Sequence, residues 1–264
     1  MIIDRSNILD IVNKTNTKPD KDYGQNFLLV PEICSDIVSA LEIDQKESVL
    51  EIGPGLGSLT HFLSNSKNLT VCDIDNRMIS FLKITYPELN FIENDIRKVD
   101  VSSYEKIIGN LPYNITTELV TYLLINAKKC KRMVLMCQQE AFSRFFDVSG
   151  GNYGPASVLI HLLGTPKKLM TVKPGSFYPA PKCNSLVFSF EFDQKVNREE
   201  AIKVYMFAKS MFLNRRKTIY NNLKNYLQNS ERATHILNTL SISNMLRPEE
   251  ISPNMYVKLY EASK

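Results

Sequence analysis

The chain has 264 residues, 44% of them hydrophobic and 23% charged. That is enough to bury a core in one large domain or two small ones, and it excludes a disordered, collagen-like or coiled-coil protein. The net charge is +4, all of it within residues 186–264, where 12 Lys and Arg face 8 Asp and Glu, a bias that points to a polyanionic partner.

Residues 1–24 read as a short helix around Ile8, Leu9, Ile11 and Val12, then a polar arm. No apolar stretch of the secretory kind precedes them, and no run has the length of a membrane span. A helix is predicted over Pro31–Leu41, with proline in its first turn and Ile33, Ile37, Val38 and Leu41 on one face. From Ser48 the pattern alternates. Strands are predicted at Val49–Ile52, Leu69–Asp73, Leu89–Ile92, Lys106–Ile108 and Met133–Cys137. Helices fall at Ser58–Leu63, Arg77–Lys83 and Thr117–Leu124 between them. Such alternation builds βαβ units on a mostly parallel sheet, an α/β Rossmann-like fold. Gln139–Phe146 and Ala156–Leu163 read as helices, and Leu186–Phe192 alternates as a strand. Glu199–Leu213 and two or three later segments are helical. A boundary near Gln194 therefore divides a catalytic domain (1–194, with the arm at 1–30) from a small all-helical domain (195–264).

Five cysteines at irregular spacing, with no C-x-x-C pair, exclude a disulfide framework and a zinc site. Reduced thiols in the cytoplasm and no metal are expected.

Glu51-Ile52-Gly53-Pro54-Gly55-Leu56-Gly57 follows a strand and opens a helix. Glycines let the backbone turn tightly against a ligand, and a helix start offers free N–H groups. Asp73 closes the next strand, where a carboxylate accepts ribose hydroxyls. The pair fits a dinucleotide or S-adenosylmethionine (SAM). The E-x-G-x-G-x-G spacing favours SAM, as does Asn94-Asp95, where an acid meets the adenine amine. Asp75 reads as a solvated carboxylate.

Gly109-Asn110-Leu111-Pro112-Tyr113-Asn114-Ile115 ends the fourth strand, at the sheet edge where open α/β folds bind ligands. Its residue types suit a flat base with an exocyclic amine. The Asn110 side-chain oxygen accepts one N–H, and the Leu111 carbonyl, next to Pro112, accepts the other. Together they free the amine lone pair for attack on a methyl sulfonium. Tyr113 stacks on the ring. Orientation then does most of the catalysis.

With these motifs the chain resembles the small-subunit ribosomal RNA adenine N6,N6-dimethyltransferases. Tyr23-Gly24-Gln25-Asn26-Phe27-Leu28, Phe177-Tyr178-Pro179-Ala180-Pro181-Lys182 and Asn214-Arg215-Arg216-Lys217-Thr218-Ile219 carry the resemblance further. It runs from about Asp22 to Tyr256. It implies SAM as cofactor, contacted by Asn26 and Leu28, with Gly53 and Gly55 along its methionine side. Asp73 would hold the ribose, Asp95 the adenine, and Asn110 the junction of cofactor and target. Tyr113 and Phe177, on an ordered surface loop, would sandwich the target adenine. Arg215, Arg216 and Lys217 would touch RNA phosphate. The implied reaction adds two methyls to each of two adjacent adenines in the 3′-terminal hairpin of small-subunit rRNA, within an assembling subunit. A monomer without membrane contact is expected.

Three departures stand out: Asp73 where Glu is usual, Pro155 where many relatives have Arg, and Cys183-Asn184 in place of Val-Asp. The competing readings are a resistance-type methyltransferase of large-subunit rRNA, an assembly factor that has lost catalysis and, more distantly, a NAD-dependent dehydrogenase.

Overall fold

The computed structural model describes residues 1–20, 23–193 and 196–264. Asp22, where the family motifs begin, and Gln194, where the sequence sets the domain boundary, lie outside the described residues. In chain order the elements are α1 (Ile8–Thr15), β1 (Phe27–Leu28), α2 (Pro31–Ser39), β2 (Val49–Ile52), α3 (Thr60–Leu63), β3 (Leu69–Asp73), α4 (Asn76–Thr85), β4 (Asn90–Glu93), β5 (Lys106–Asn110), α5 (Thr116–Asn126) and β6 (Arg132–Gln138). There follow α6 (Gln139–Phe146), α7 (Pro155–Leu163), β7 (Gly164–Val172), β8 (Phe177–Tyr178), β9 (Ser185–Phe192), α8 (Arg198–Phe212), α9 (Ile219–Leu227), α10 (Ser230–Thr239) and α11 (Pro253–Ser263).

The main sheet runs β4-β3-β2-β5-β6-β9-β7. Its pairs from β4 to β6 are parallel and β6·β9 is antiparallel. The chain steps outward from β2 to β4 and then returns to β5 on the other side. The carboxyl ends of β2 and β5 therefore flank the switch point, where such sheets open a crevice. Every residue of β2 and β3 is buried, as expected for parallel strands covered on both faces.

Two features escape sequence patterning. The arm's Phe27 and Leu28 pair antiparallel with Tyr178 and Phe177 in a separate two-stranded sheet. β7 carries Pro166, Lys167 and Lys168. Proline and lysine are tolerated there because β7 is an edge strand. The glycine turn also differs from expectation. It does not run straight into a helix over Ser58–Leu63; further turns intervene and α3 begins only at Thr60.

The chain forms two compact units. Met1–Ala141 joins Lys167–Phe192, and Phe142–Pro166 joins Asp193–Lys264. The second unit thus takes a segment that the sequence places in the first domain. The reason is α7, which buries Ser157–Ile160, Leu162 and Leu163. A helix apolar on nearly every side needs cover, and α8 and α11 supply it.

In the first unit one core cluster holds Leu28, Ile37, Val49, Val71, Ile108, Val134 and Phe177. A second packs Ile8, Ile11 and Val12 of α1 against Phe27, Leu56 and Met78. Burial of α1 anchors the arm from its N-terminal end. Among the described residues no helix is long and apolar enough to cross a membrane.

Candidate active site

The crevice opens into a cleft at the carboxyl ends of β2 and β5. The arm forms one wall with Tyr23–Leu28. The glycine turn, the ends of β3 and β5, and the residues after β4 form the rest. Asn26, Leu28, Gly53, Gly55, Asp73, Asp95, Asn110, Leu111, Pro112 and Tyr113 all line it. Residues far apart in sequence are therefore gathered as the motifs require.

Phe177 is not among them. It is 4% exposed and packed in the core with Leu28. Pairing of β8 with β1 turns Phe177 inward and leaves Tyr178 against the second core cluster. The surface-loop reading of Phe177 is thus corrected, and the aromatic facing the cleft is Tyr113 alone of the expected pair. The Tyr113 hydroxyl hydrogen-bonds Ser185 Oγ at 2.9 Å, which fixes its ring. Burial pushes that hydroxyl's pKa up.

Gly55 sits at φ +54°, and a Cβ there would meet the Phe27 ring at 2.9 Å. Only glycine allows the turn and the arm to approach this closely. The Asp73 carboxylate, 8% exposed, accepts from the Asp75 N–H at 2.9 Å and, weakly, from the Gly55 N–H at 3.4 Å. Burial raises its pKa to about 6. Glu51 is more deeply placed. Its Oε2 accepts from Thr60 Oγ1 at 2.7 Å, while its buried Oε1 has no hydrogen-bond partner. Burial first, with the charge of Asp73 adding to it, raises Glu51 to about 8. Sequence reasoning quoted Glu51 within its motif and gave it no role. A lone acid inside an apolar strand was the available signal.

Asp95 is held by Arg97, whose Nε lies 3.0 and 3.1 Å and whose Nη2 lies 2.6 Å from its oxygens. That bidentate pair keeps the Asp95 carboxyl below its usual range. Arg97 also reaches Glu118 at 2.9 Å. Asp75 is 3% exposed, which overturns the expectation of a solvated group. It caps α4 and pairs with Arg77.

Asn110 Nδ2 donates to the Asn26 carbonyl at 3.0 Å, and Asn26 Nδ2 donates to the Gly24 carbonyl at 3.0 Å. The Leu111 N–H is taken by the Met136 carbonyl at 2.9 Å. Among the described residues no backbone N–H pairs with the Leu111 carbonyl. Chemically, the Asn110 Oδ1 and the Leu111 carbonyl form an acceptor pair beside an aromatic ring. Two acids, Asp73 and the arginine-held Asp95, lie along the same cleft.

In the second unit Arg215 is spent internally. Its Nη2 donates to the Gly150 carbonyl at 2.9 Å and its Nε lies 3.6 Å from Glu249. Its guanidinium lies over the Phe212 ring at 5.9 Å. Arg216 and Lys217 are exposed.

The family profile described as ribosomal RNA adenine dimethylase matches residues 16–263. A protein of Malacoplasma penetrans described as ribosomal RNA small subunit methyltransferase A is 35% identical over 263 residues, covering 97% of this chain and 96% of its own. A protein of the same description from Clostridium botulinum is 31% identical and covers 96% and 97%. Among solved structures, a dimethyladenosine transferase from Plasmodium falciparum superposes with a TM-score of 0.75 at 26% identity, covering 88% of this chain and 95% of its own. The 23S rRNA methyltransferase ErmE shares the fold, with a TM-score of 0.68 at 20% identity over 89% of this chain and 98% of its own.

Proposed function

This chain belongs to the ribosomal RNA adenine dimethylase family, and we propose that its cleft uses SAM to dimethylate the N6 amine of two adjacent adenines in the 3′-terminal hairpin of small-subunit rRNA. The observation that carries this reading is the pinned Asn110 amide. Its NH2 is committed to the Asn26 carbonyl, so its oxygen is the atom left for an incoming amine.

The cleft fits SAM on three counts. Glu51 Oε1 is a buried oxygen without a partner, suited as part of a neutral carboxyl to a polar group of a methionine moiety. Asp73 offers its carboxylate to ribose hydroxyls, with shorter reach than Glu. Asp95, kept ionised by Arg97, accepts from an adenine amine. Asn26, Leu28, Gly53 and Gly55 supply the backbone walls. Bound, SAM supplies an electrophilic methyl group on a sulfonium.

The protein's share is to orient the target and prepare its lone pair. Asn110 Oδ1 and the Leu111 carbonyl accept the two N–H bonds of the adenine amine. That turns the nitrogen lone pair out of conjugation with the ring and toward the methyl donor. Pro112 fixes the chain between Leu111 and Tyr113, and the Thr116 hydroxyl donates to its carbonyl at 2.9 Å. Tyr113 stacks on the base, worth about 1–3 kcal/mol for such contacts. No proton need leave before the new bond forms, so positioning carries the rate. Unpaired loop bases suit this pocket because splaying them costs little. Arg216 and Lys217 bind rRNA phosphate in the assembling subunit, and the protein acts as a cytoplasmic monomer.

The test uses labelled SAM and small subunits from a strain lacking the modification, with large subunits as control. N6,N6-dimethyladenosine in the small-subunit hairpin is the expected product. Label confined to large subunits would make this a resistance-type enzyme. No label on either, with tight subunit binding, would make it an assembly factor.

A further inference from the structure

Asp75 takes no part in handling the amine, yet its side chain is only 2% exposed and sits where several elements meet. One oxygen caps α4 by accepting the Arg77 N–H at 3.0 Å. The other accepts from Gln25 Nε2 at 2.9 Å. The Arg77 guanidinium closes on both oxygens at 2.9 and 2.6 Å, reaches the Lys18 carbonyl at 3.4 Å and lies 3.8 Å from Asp20. The backbone N–H of Asp75 donates to Asp73 at 2.9 Å. A single residue therefore touches both the arm and the ribose-type carboxylate.

Both ends of the Gln25 amide are engaged. Its Oε1 accepts the Asp20 N–H at 2.8 Å, its own N–H donates to the Asp20 carbonyl at 3.2 Å, and its Nε2 is spent on Asp75. The next residue of the arm, Asn26, pins Asn110. Displacing Gln25 from Asp75 thus loosens one whole wall of the cleft.

We propose that Asp75 is a positioning residue that straps the N-terminal arm over the cofactor, through Gln25 and Arg77, while aiming Asp73 at the ribose. The proposal rests on the SAM reading above. It makes cofactor entry and release depend on opening the Gln25–Asp75 link. The direction of that hydrogen bond gives a specific test. In Asp75→Asn the α4 cap survives, since Asn caps as well as Asp, but an NH2 then faces both the Gln25 NH2 and the Arg77 Nη2. Flipping Gln25 relieves this only by turning its NH2 onto the Asp20 N–H. In Gln25→Glu two carboxylates face each other. In the double variant an Asn NH2 donates to a Glu oxygen, and the link is restored with its direction reversed.

Two readouts are taken: SAM affinity by calorimetry, and the rate of chymotryptic cleavage after Tyr23, which is 41% exposed, with and without SAM. Each single variant is expected to bind SAM about tenfold or more weakly, the scale of a lost charge-assisted hydrogen bond, and to lose SAM protection at Tyr23. The double variant is expected to bind SAM more tightly than either single variant, with the Arg77 contact at that position still lost. Wild-type affinity in the single variants overturns the proposal, and so does a double variant weaker than either. Should Asp75→Asn fail to fold, Gln25→Glu alone decides, because loss of SAM affinity at an unchanged melting temperature is then required. A wild-type protein that binds no SAM would instead refute the cofactor assignment.

Discussion

Asp73 makes cofactor affinity a titration experiment. Its carboxyl is buried, which raises its pKa to about 6, and as the proposed ribose acceptor it binds best when ionised. In the free protein about nine-tenths of it is ionised at pH 7 and about one-tenth at pH 5. SAM affinity should therefore fall about tenfold from pH 7 to pH 5, or about 1.4 kcal/mol. Glu51, raised to about 8, is protonated throughout that window and adds nothing to the slope. Asp95, lowered by Arg97, stays ionised. Unliganded stability should move the opposite way. A carboxyl whose pKa is higher folded than unfolded contributes stability that is present below about pH 4 and lost as the pH rises through its folded value. Between pH 5 and 7 the free protein should thus melt lower while SAM binds better. Calorimetric titration across pH 5–8 measures the affinity. Asp73→Asn should flatten the profile at the weaker level, and Glu51→Gln should leave the acid limb in place. A flat wild-type profile, or undiminished SAM affinity in Asp73→Asn at pH 7, would refute the ribose contact.

Asn110→Ala should cut methyl transfer about 10²–10³-fold, the usual cost of removing one preorganised polar group, with subunit binding retained; near-normal turnover would remove its role. Phe177→Ala should cost about 3–5 kcal/mol of stability, as deletion of a core aromatic does. A variant that melts like wild type but has lost turnover would return Phe177 to the target base. Reversing Arg216 and Lys217 to Glu should weaken subunit binding and flatten its salt dependence. Arg215→Ala should instead lower the melting temperature of the chain and leave the salt slope unchanged, because its contacts are Gly150, Glu249 and Phe212.

The parallel strands were legible because they are short apolar runs bounded by turn residues, Val49–Ile52 and Leu69–Asp73 being the plainest. β7 was not, since Pro166, Lys167 and Lys168 read as a loop unless the strand is known to lie at an edge. β1 and β8 have two residues each, too few for any period. The same limit hid Phe177, whose inward turn is decided by pairing with a strand far off in sequence. Asp75 was misread for a related reason. One of its partners, Arg77, is two residues on, but the partner that attaches it to the cleft wall, Gln25, comes from the arm. At Arg215–Lys217 the residue types were informative and the directions were not. The arginine that folds back to Gly150 looks the same in a one-dimensional pattern as its neighbours in solvent.

The arm motif nonetheless has a complete physical account once its contacts are known. Gly24 adopts φ +63°, the left-handed region that favours glycine, and its carbonyl accepts from Asn26. Gln25 links the arm to Asp75. Asn26 accepts the Asn110 NH2 at its own carbonyl. Phe27 covers Gly55 so closely that a Cβ at Gly55 would strike its ring. Leu28 enters the core, and its carbonyl accepts from Ser58 Oγ at 2.7 Å. Gln25, Asn26, Phe27 and Leu28 thus tie the arm in turn to Asp75, to Asn110, to the glycine turn and to the core. An arm built this way transmits a disturbance at any one contact to the Asn110 amide. For this reason substitutions at Gln25 or Asp75, which touch no reacting atom, should raise the demand for SAM before they alter the chemistry at the amine.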